Sequence, residues 1–295
     1  MNPPDPLSHN RRDDDACPYR DLYIYYLQGR LNPSGELFQD NFIGNWEEED
    51  YTFLFFSSPA QREVEDLLHT QPHLTFLDSF EMSYDQWQSE TFTTIHHGRF
   101  CILPAWEAQG NINQQPESAK KTILLDPGVV FGNGRHPTTC DCLDALELAF
   151  APLGPETILD LGTGTGLLAL AAARLGAKRI LAVDLNPLAV KTAQKNVLLN
   201  ECNGSVLVAQ GRAEDCVDLA ADLVIANIHY DVMRQIVHSR GFLQKKQFIL
   251  SGLLRSEARA LAETLEKLPV QVQNMWTHDG IWHTFYGKIA ISEKV

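Results

Sequence analysis

Long apolar runs are missing from this chain. Although 44% of its 295 residues are hydrophobic, no run approaches the roughly 18 residues that a spanning helix requires. Cysteine is sparse. The six are Cys17, Cys101, Cys140, Cys142, Cys202 and Cys216. They form no C-x-x-C pair and no disulfide-framework spacing, which points to a reducing cytoplasm rather than a stapled secreted fold. Cys140 and Cys142 follow His136 closely, but C-x-C on a helix aims its thiols apart, so no metal site is expected. The opening stretch MNPPDPLSHNRRDDDACPYR has no apolar core, so it does not read as a secretory signal. Residues 1–20 are expected to be a disordered tail.

Basic residues are scarce in one region. Residues 1–104 hold 6 Lys and Arg against 18 Asp and Glu, a net of -12, whereas residues 105–295 hold 18 against 20, a net of -2. Nearly all of the formal charge of -14 therefore sits in the first third. Such a surface repels nucleic-acid backbones and attracts basic partners. A solvated acidic face that only aids solubility has the same composition, so both readings stand at this point.

Residues 21–104 predict a small α+β unit. DLYIYYLQ is strand-like, and FIGNWEEEDYTFLFF reads as two strands around a charged turn at Glu47–Asp50. SPAQREVEDLLHT predicts a helix capped by Ser58, with Val64, Leu67 and Leu68 at helical spacing. Residues 105–121 lack periodicity and are rich in Gln, Asn and Pro, as in a linker. From residue 122 to 295, short apolar strands alternate with amphipathic helices, the pattern of a doubly wound parallel sheet. The closing strands flank His278-Asp279-Gly280, which predicts a terminal antiparallel hairpin.

One turn in this second region is unusual. ILDLGTGTGLLALAAARLGAKRILAVD places Gly162, Gly164 and Gly166 at alternate positions between a strand and a helix. Glycine permits positive φ and a close approach of backbone to a ligand. Ligands of open parallel sheets bind beyond the carboxyl ends of the strands. Asp184 ends the next strand, where a carboxylate can accept both hydroxyls of a ribose. The dinucleotide fingerprint G-x-G-x-x-G is not met, because Leu167 stands where its last glycine belongs. Asp160 adds negative charge beside the loop, which suits a sulfonium nucleoside better than a pyrophosphate. S-adenosylmethionine (SAM) fits best; a nicotinamide dinucleotide and a purely structural turn are the alternatives. A second glycine loop, LLDPGVVFGNGRHPTT, precedes this one and reads as a lid. Phe131 would shield the methyl donor from water, and Thr139 in the following helical turn would meet its polar end.

These motifs resemble the class I SAM-dependent methyltransferases, and among them the ribosomal protein L11 methyltransferase family, PrmA. The resemblance rests on LLDPGVVFGNGRHPTT, DLGTGTGLLALAAARLGA, AVDLNPLAV and VIANI, supported by MSYDQWQ, FCILPAWE and LSGLLRSEA. It runs from about Phe80 to the C-terminus. It implies a seven-stranded methyltransferase sheet behind a substrate-recognising α+β domain. It also implies lysine N-methylation of a basic ribosomal protein, with no direct nucleic-acid or membrane partner. Carried over by position, it implies cofactor contacts at Thr139, Gly162, Asp184 and Asn227; Phe131 and Gly164 join them from the lid and loop arguments. Asn227 and His229 are the candidate catalytic residues. The sequence departs from the family at His229, Tyr230 and Asp231, and in the lid at Asn133 and Arg135. Two alternatives therefore stay open: a lysine methyltransferase of another protein, such as the electron-transfer flavoprotein β subunit, and a non-catalytic SAM-binding regulatory module.

Overall fold

The computed structural model describes residues 17–32, 41–107, 121–151 and 153–290. Most of the expected tail and linker lie outside these residues. Three sheets organise the rest.

The first sheet is antiparallel, in the order β2-β3-β1-β4, with β1 Asp21–Gln28, β2 Phe42–Glu48, β3 Tyr51–Phe56 and β4 Thr75–Ser83. Its two faces divide their apolar residues by strand alternation. Tyr25, Leu27, Leu54 and Phe56 pack under α1 (Gln61–Thr70) with Val64 and Leu67. Leu22, Ile24 and Phe55 turn the other way and join the larger core. The α1 start differs from the expected one. Ala60, not Ser58, is the N-cap, without a side-chain cap of its own. The backbone N–H of Ala60 instead donates to the Tyr25 hydroxyl at 2.9 Å, a tertiary partner that local sequence does not reveal.

The second sheet has three strands: β5 Ile95–His97, β6 Phe100–Pro104 and β7 Lys121–Leu125. β6 pairs antiparallel with β5 and parallel with β7. β5 and β6 thus associate with the strand that opens the α/β region rather than with the first sheet. Between β4 and β5 lies the one-turn helix α2 (Tyr84–Trp87), closed by a capping box in which Ser83 and Gln86 satisfy each other's backbone N–H groups.

The third sheet has seven strands in the order β10-β9-β8-β11-β12-β14-β13. These are β8 Thr157–Leu161, β9 Arg179–Asp184, β10 Val206–Gln210, β11 Leu223–Asn227, β12 Gln247–Leu254, β13 Val270–His278 and β14 Trp282–Ile289. The first five run parallel, and β14 inserts antiparallel between β12 and β13. The hairpin turn uses positive φ at Asp279 and Gly280, as its sequence requires. Helices cover both faces: α3 Pro137–Ala149, α4 Leu167–Leu175, α5 Pro187–Leu199, the single turn α6 Ala213–Cys216, α7 Tyr230–His238 and α8 Arg255–Leu265. Ile158 of β8 enters the core shared with α3, α4 and α5, while Leu159 and Leu161 enter the core under α7 and α8. Both faces are buried, which explains the near-continuous apolar strands. Strand order reverses at β8, between β9 and β11, so the sheet opens its ligand crevice beside the glycine turn. No helix among the described residues is long and apolar enough to cross a membrane.

Candidate active site

The glycine turn follows β8 directly. Gly162, Gly164 and Gly166 have φ of 74°, 55° and 83°, values that L side chains rarely adopt. Their neighbours are partly the protein itself. A Cβ on Gly162 would lie 2.1 Å from Ile228 Cγ2, and one on Gly164 would lie 2.5 Å from the carbonyl oxygen of Phe131. Close approach is therefore required first between this turn, the end of β11 and the preceding glycine loop.

Asp160 does not face the ligand crevice. It is 1% exposed, and its carboxylate accepts the Thr163 hydroxyl at 2.5 Å. Burial pushes its pKa up to about 6, against the Thr163 hydrogen bond, with the Asp184 charge adding to the rise. Its role is to brace the turn from beneath, not to present charge. Asp184 presents that charge. At the end of β9 its carboxylate accepts the N–H of Gly164 at 2.9 Å and that of Asn186 at 2.9 Å. Burial raises its pKa, and these backbone bonds oppose the rise. Asn186 also caps α5 by accepting the Leu188 N–H, with Pro187 at the first helical position.

The loop of residues 127–136 lies against the turn. The Thr165 N–H donates to the Phe131 carbonyl at 3.2 Å, and the Thr165 hydroxyl donates to Gly132 at 2.7 Å. Asn133 and Arg135, unusual in the sequence, tie this loop outward. Asn133 Nδ2 donates to Gln88 at 2.8 Å. Arg135 reaches Glu90 at 2.6 Å, the Thr93 hydroxyl at 2.8 Å and the Thr91 carbonyl at 3.1 Å. Gln88 and Tyr84 both donate to the Gly128 carbonyl. The ring of Phe131 is 50% exposed and meets His136 edge-on at 5.3 Å, and His136 meets Trp282 at 4.9 Å.

α3 begins at this loop, with His136 as its N-cap. Thr138 Oγ1 lies 2.7 Å from His136 Nδ1 and accepts the side-chain amide of Asn227 at 3.3 Å. Burial lowers the His136 pKa, favouring neutral imidazole. The Thr139 hydroxyl is buried and has no partner among the described residues. A buried hydroxyl left so costs about 1–3 kcal/mol, and a bound polar ligand is one way to relieve it. Behind it, Asp141 accepts from the Thr284 hydroxyl at 2.9 Å and sits 2.6 Å from His278. Ser251 lies 2.6 Å from Thr284 and also donates to the Thr138 carbonyl. This buried chain fastens α3 to the terminal hairpin. Nothing in the sequence pattern announced it, because its members are spread from residue 138 to residue 284.

The expected site residues divide in two. Gly162, Gly164, Asp184 and Asn227 lie at the ends of β8, β9 and β11, Phe131 touches the turn through its carbonyl, and Thr139 follows the Asn227 partner Thr138 in the first turn of α3. His229 stands at the rim as the exposed N-cap of α7, without a side-chain cap bond. No group of three or more His, Cys, Asp or Glu among the described residues could hold a metal.

The strand order, the antiparallel seventh strand and the glycine turn at the point of reversal define a class I methyltransferase fold. The chain matches the family described as ribosomal protein L11 methyltransferase (PrmA) over residues 51–289, and it belongs to that family. It is similar to a protein of Anoxybacillus flavithermus named ribosomal protein L11 methyltransferase, with 37% identity over 193 residues, 64% of this chain and 59% of that protein. A protein of the same name from Bacillus cereus is 36% identical over 184 residues, 60% of this chain and 55% of that one. The chain therefore spans 55–59% of the length of these curated relatives. The crystal structure of a ribosomal protein L11 methylase from Lactobacillus delbrueckii subsp. bulgaricus superposes with a TM-score of 0.56 at 28% identity, covering 68% of this chain and 100% of that one.

Proposed function

We propose that this protein is a SAM-dependent protein lysine N-methyltransferase that acts in the cytoplasm on ribosomal protein L11. The observation that carries the proposal is the meeting of the Asp184 carboxylate with the glycine turn, and of Asn227 with Thr138 next to Thr139, whose buried hydroxyl has no partner among the described residues, in a chain of this family. These residues fit SAM: an acceptor for ribose hydroxyls at Asp184, the backbone of the glycine turn beside it and a buried hydroxyl at Thr139 with no partner among the described residues. When bound, SAM supplies an electrophilic methyl group.

The chain's own residues then do the rest. Asp184 and the turn fix the position of the cofactor, and the loop carrying Phe131 excludes water. Asn227, held by Thr138, orients the lysine amine toward the methyl group with its side chain and carbonyl. A dry apolar wall lowers an amine's pKa by desolvation, so the neutral nucleophile becomes accessible near neutral pH. His229, at the exposed mouth, would accept the proton that the lysine ammonium gives up before attack and pass it to water. Alignment is the largest contribution asked of the protein.

Tritiated SAM, purified protein and cell lysate test the proposal together with purified L11. A labelled band at L11 supports it. A labelled band elsewhere, with L11 unlabelled, redirects the acceptor to another protein. SAM binding by calorimetry with no labelled band at all makes the chain a regulatory module instead.

A further inference from the structure

We infer that the cavity between the first sheet and the loop of residues 129–137 receives the acceptor's lysine side chain, with Trp46 and Trp87 as its walls. This rests on the proposed lysine methyltransferase activity and names where that substrate enters. The cavity measures about 460 Å³ and is lined by Trp46, Trp87, Phe131, His136, Glu90 and Arg135, among others. That lies within the roughly 300–1,000 Å³ of small-molecule sites.

Three features select the occupant. The first is continuity with the catalytic residues. Phe131 and His136 belong both to this cavity and to the site: His136 Nδ1 is 2.7 Å from Thr138 Oγ1, which accepts from Asn227. The second is wall chemistry. Trp46, Trp87 and Phe131 line the cavity, and aromatic side chains attract a cation through their π system and offer apolar surface to its methylene stem. Trp87 is fixed edge-on against Phe55 at 5.3 Å. The Arg135 guanidinium that lines the cavity is engaged by Glu90, Thr91 and Thr93, so its charge toward an incoming ammonium is offset. The third is the surrounding field. Trp46 runs directly into the exposed acidic turn Glu47–Asp50, in the segment that carries a net of -12. A basic protein is drawn to this edge, and a lysine, the acceptor of the proposed activity, has both the reach and the charge to enter.

The test uses the full chain with SAM bound. Steady-state methylation of L11 is measured for Trp46→Ala, Trp87→Ala, the double variant and the two Trp→Phe variants. Each alanine variant is expected to raise the KM for L11 about tenfold, more than it lowers kcat, with SAM affinity retained; phenylalanine restores most of the loss. A second arm needs no protein substrate. With the five tryptophans ¹⁵N-labelled, n-butylammonium should shift the indole N–H signals of Trp46 and Trp87 saturably, while n-butanol should not. Unchanged KM in the double variant with active wild-type enzyme overturns the inference, as does n-butylammonium acting no differently from n-butanol. Failure of wild-type protein to methylate L11 while n-butylammonium still binds counts against the proposed acceptor, not against the cavity.

Discussion

The side-chain amide of Asn227 donates to the hydroxyl of Thr138 across 3.3 Å. One bond joins the end of β11 to the first turn of α3, and it orients the amide proposed to align the acceptor amine. The same hydroxyl meets His136, and the Thr138 carbonyl accepts from Ser251. Thr138 is therefore a positioning residue whose side chain serves two site residues at once.

Replacing Thr138 by valine keeps the shape and removes the hydroxyl. Leaving Asn227 unpaired costs about 1–3 kcal/mol, so kcat/KM should fall by roughly 10- to 100-fold. Thr138→Ser should recover most of it. Methylation kinetics with tritiated SAM check this, and equal losses in the valine and serine variants would show that packing, not the hydroxyl, matters.

Asp184 has a double load. It accepts two loop N–H groups as well as the ribose hydroxyls proposed for it. Asp184→Ala should weaken SAM binding by about 1–3 kcal/mol through unpaired polar groups. Calorimetry measures it, and unchanged SAM affinity would remove the ribose assignment.

Gly164→Ala probes the contact between turn and lid. Its φ is 55°, and a Cβ would stand 2.5 Å from the Phe131 carbonyl. A left-handed alanine alone costs about 1–2 kcal/mol, and the clash forces the Phe131 segment away. The variant should melt several degrees lower and bind SAM more weakly. Thermal melts with and without SAM separate the two effects: a normal melting temperature and normal SAM-induced stabilisation would show that the loop accommodates the methyl group freely.

Much of this site could be read from local pattern, because the residues concerned sit in contiguous motifs. The turn Gly162–Gly166, Asp184 at a strand end and Asn186-Pro187 at a helix start each follow from what glycine, a terminal carboxylate and an N-cap do to the backbone. The parallel sheet and its terminal hairpin followed from alternating strands and helices, whereas the strand order came only with the fold. What escaped was long-range. Tyr25 capping α1 through Ala60, Asp141 joined to His278 and Thr284, and β5 and β6 pairing with β7 all link residues far apart in sequence, and no periodicity encodes them. Asn133 and Arg135 illustrate the boundary. Their sequence context marked them as departures, but only the fold supplies Gln88, Glu90, Thr91 and Thr93 as partners. Asp160 is the opposite case: visible in the motif, yet its burial beneath the turn, rather than beside the ligand, depends on the packing of β8.

His97 makes a separate prediction, about pH. It bridges β5 to α3, with Nε2 2.7 Å from Asp144. The Cys140 sulfur beside it and then Asp144 raise its pKa from 6.5 to about 9, against burial. Because the folded value lies above the unfolded one, this stabilisation is fully present below pH 6.5 and is lost as pH rises through 9. The pair is partly exposed, so solvent screening reduces the effect to about 1 kcal/mol. Relative to His97→Gln, the wild type should lose stability between pH 6.5 and 9; parallel melting curves across that range would count against a charged His97.

The acidic first third predicts how the acceptor is captured. Glu47–Asp50 are exposed at the end of β2, beside Trp46, and the strongly basic proteins of the ribosome carry the complementary charge. Long-range attraction acts mainly on the encounter rate and is screened over about 10 Å at 0.1 M salt. The rate at low L11 concentration should therefore fall about tenfold between 0.05 and 0.5 M salt, an order-of-magnitude expectation for steered association, while the rate at saturating L11 changes little. Glu48→Lys with Asp50→Lys should lower the low-salt rate and flatten this dependence, since both side chains are exposed in the acidic turn. A rate at low L11 that stays level across the salt range would leave the acidic face with a solubility role only, and capture would then rest on the aromatic cavity and shape alone.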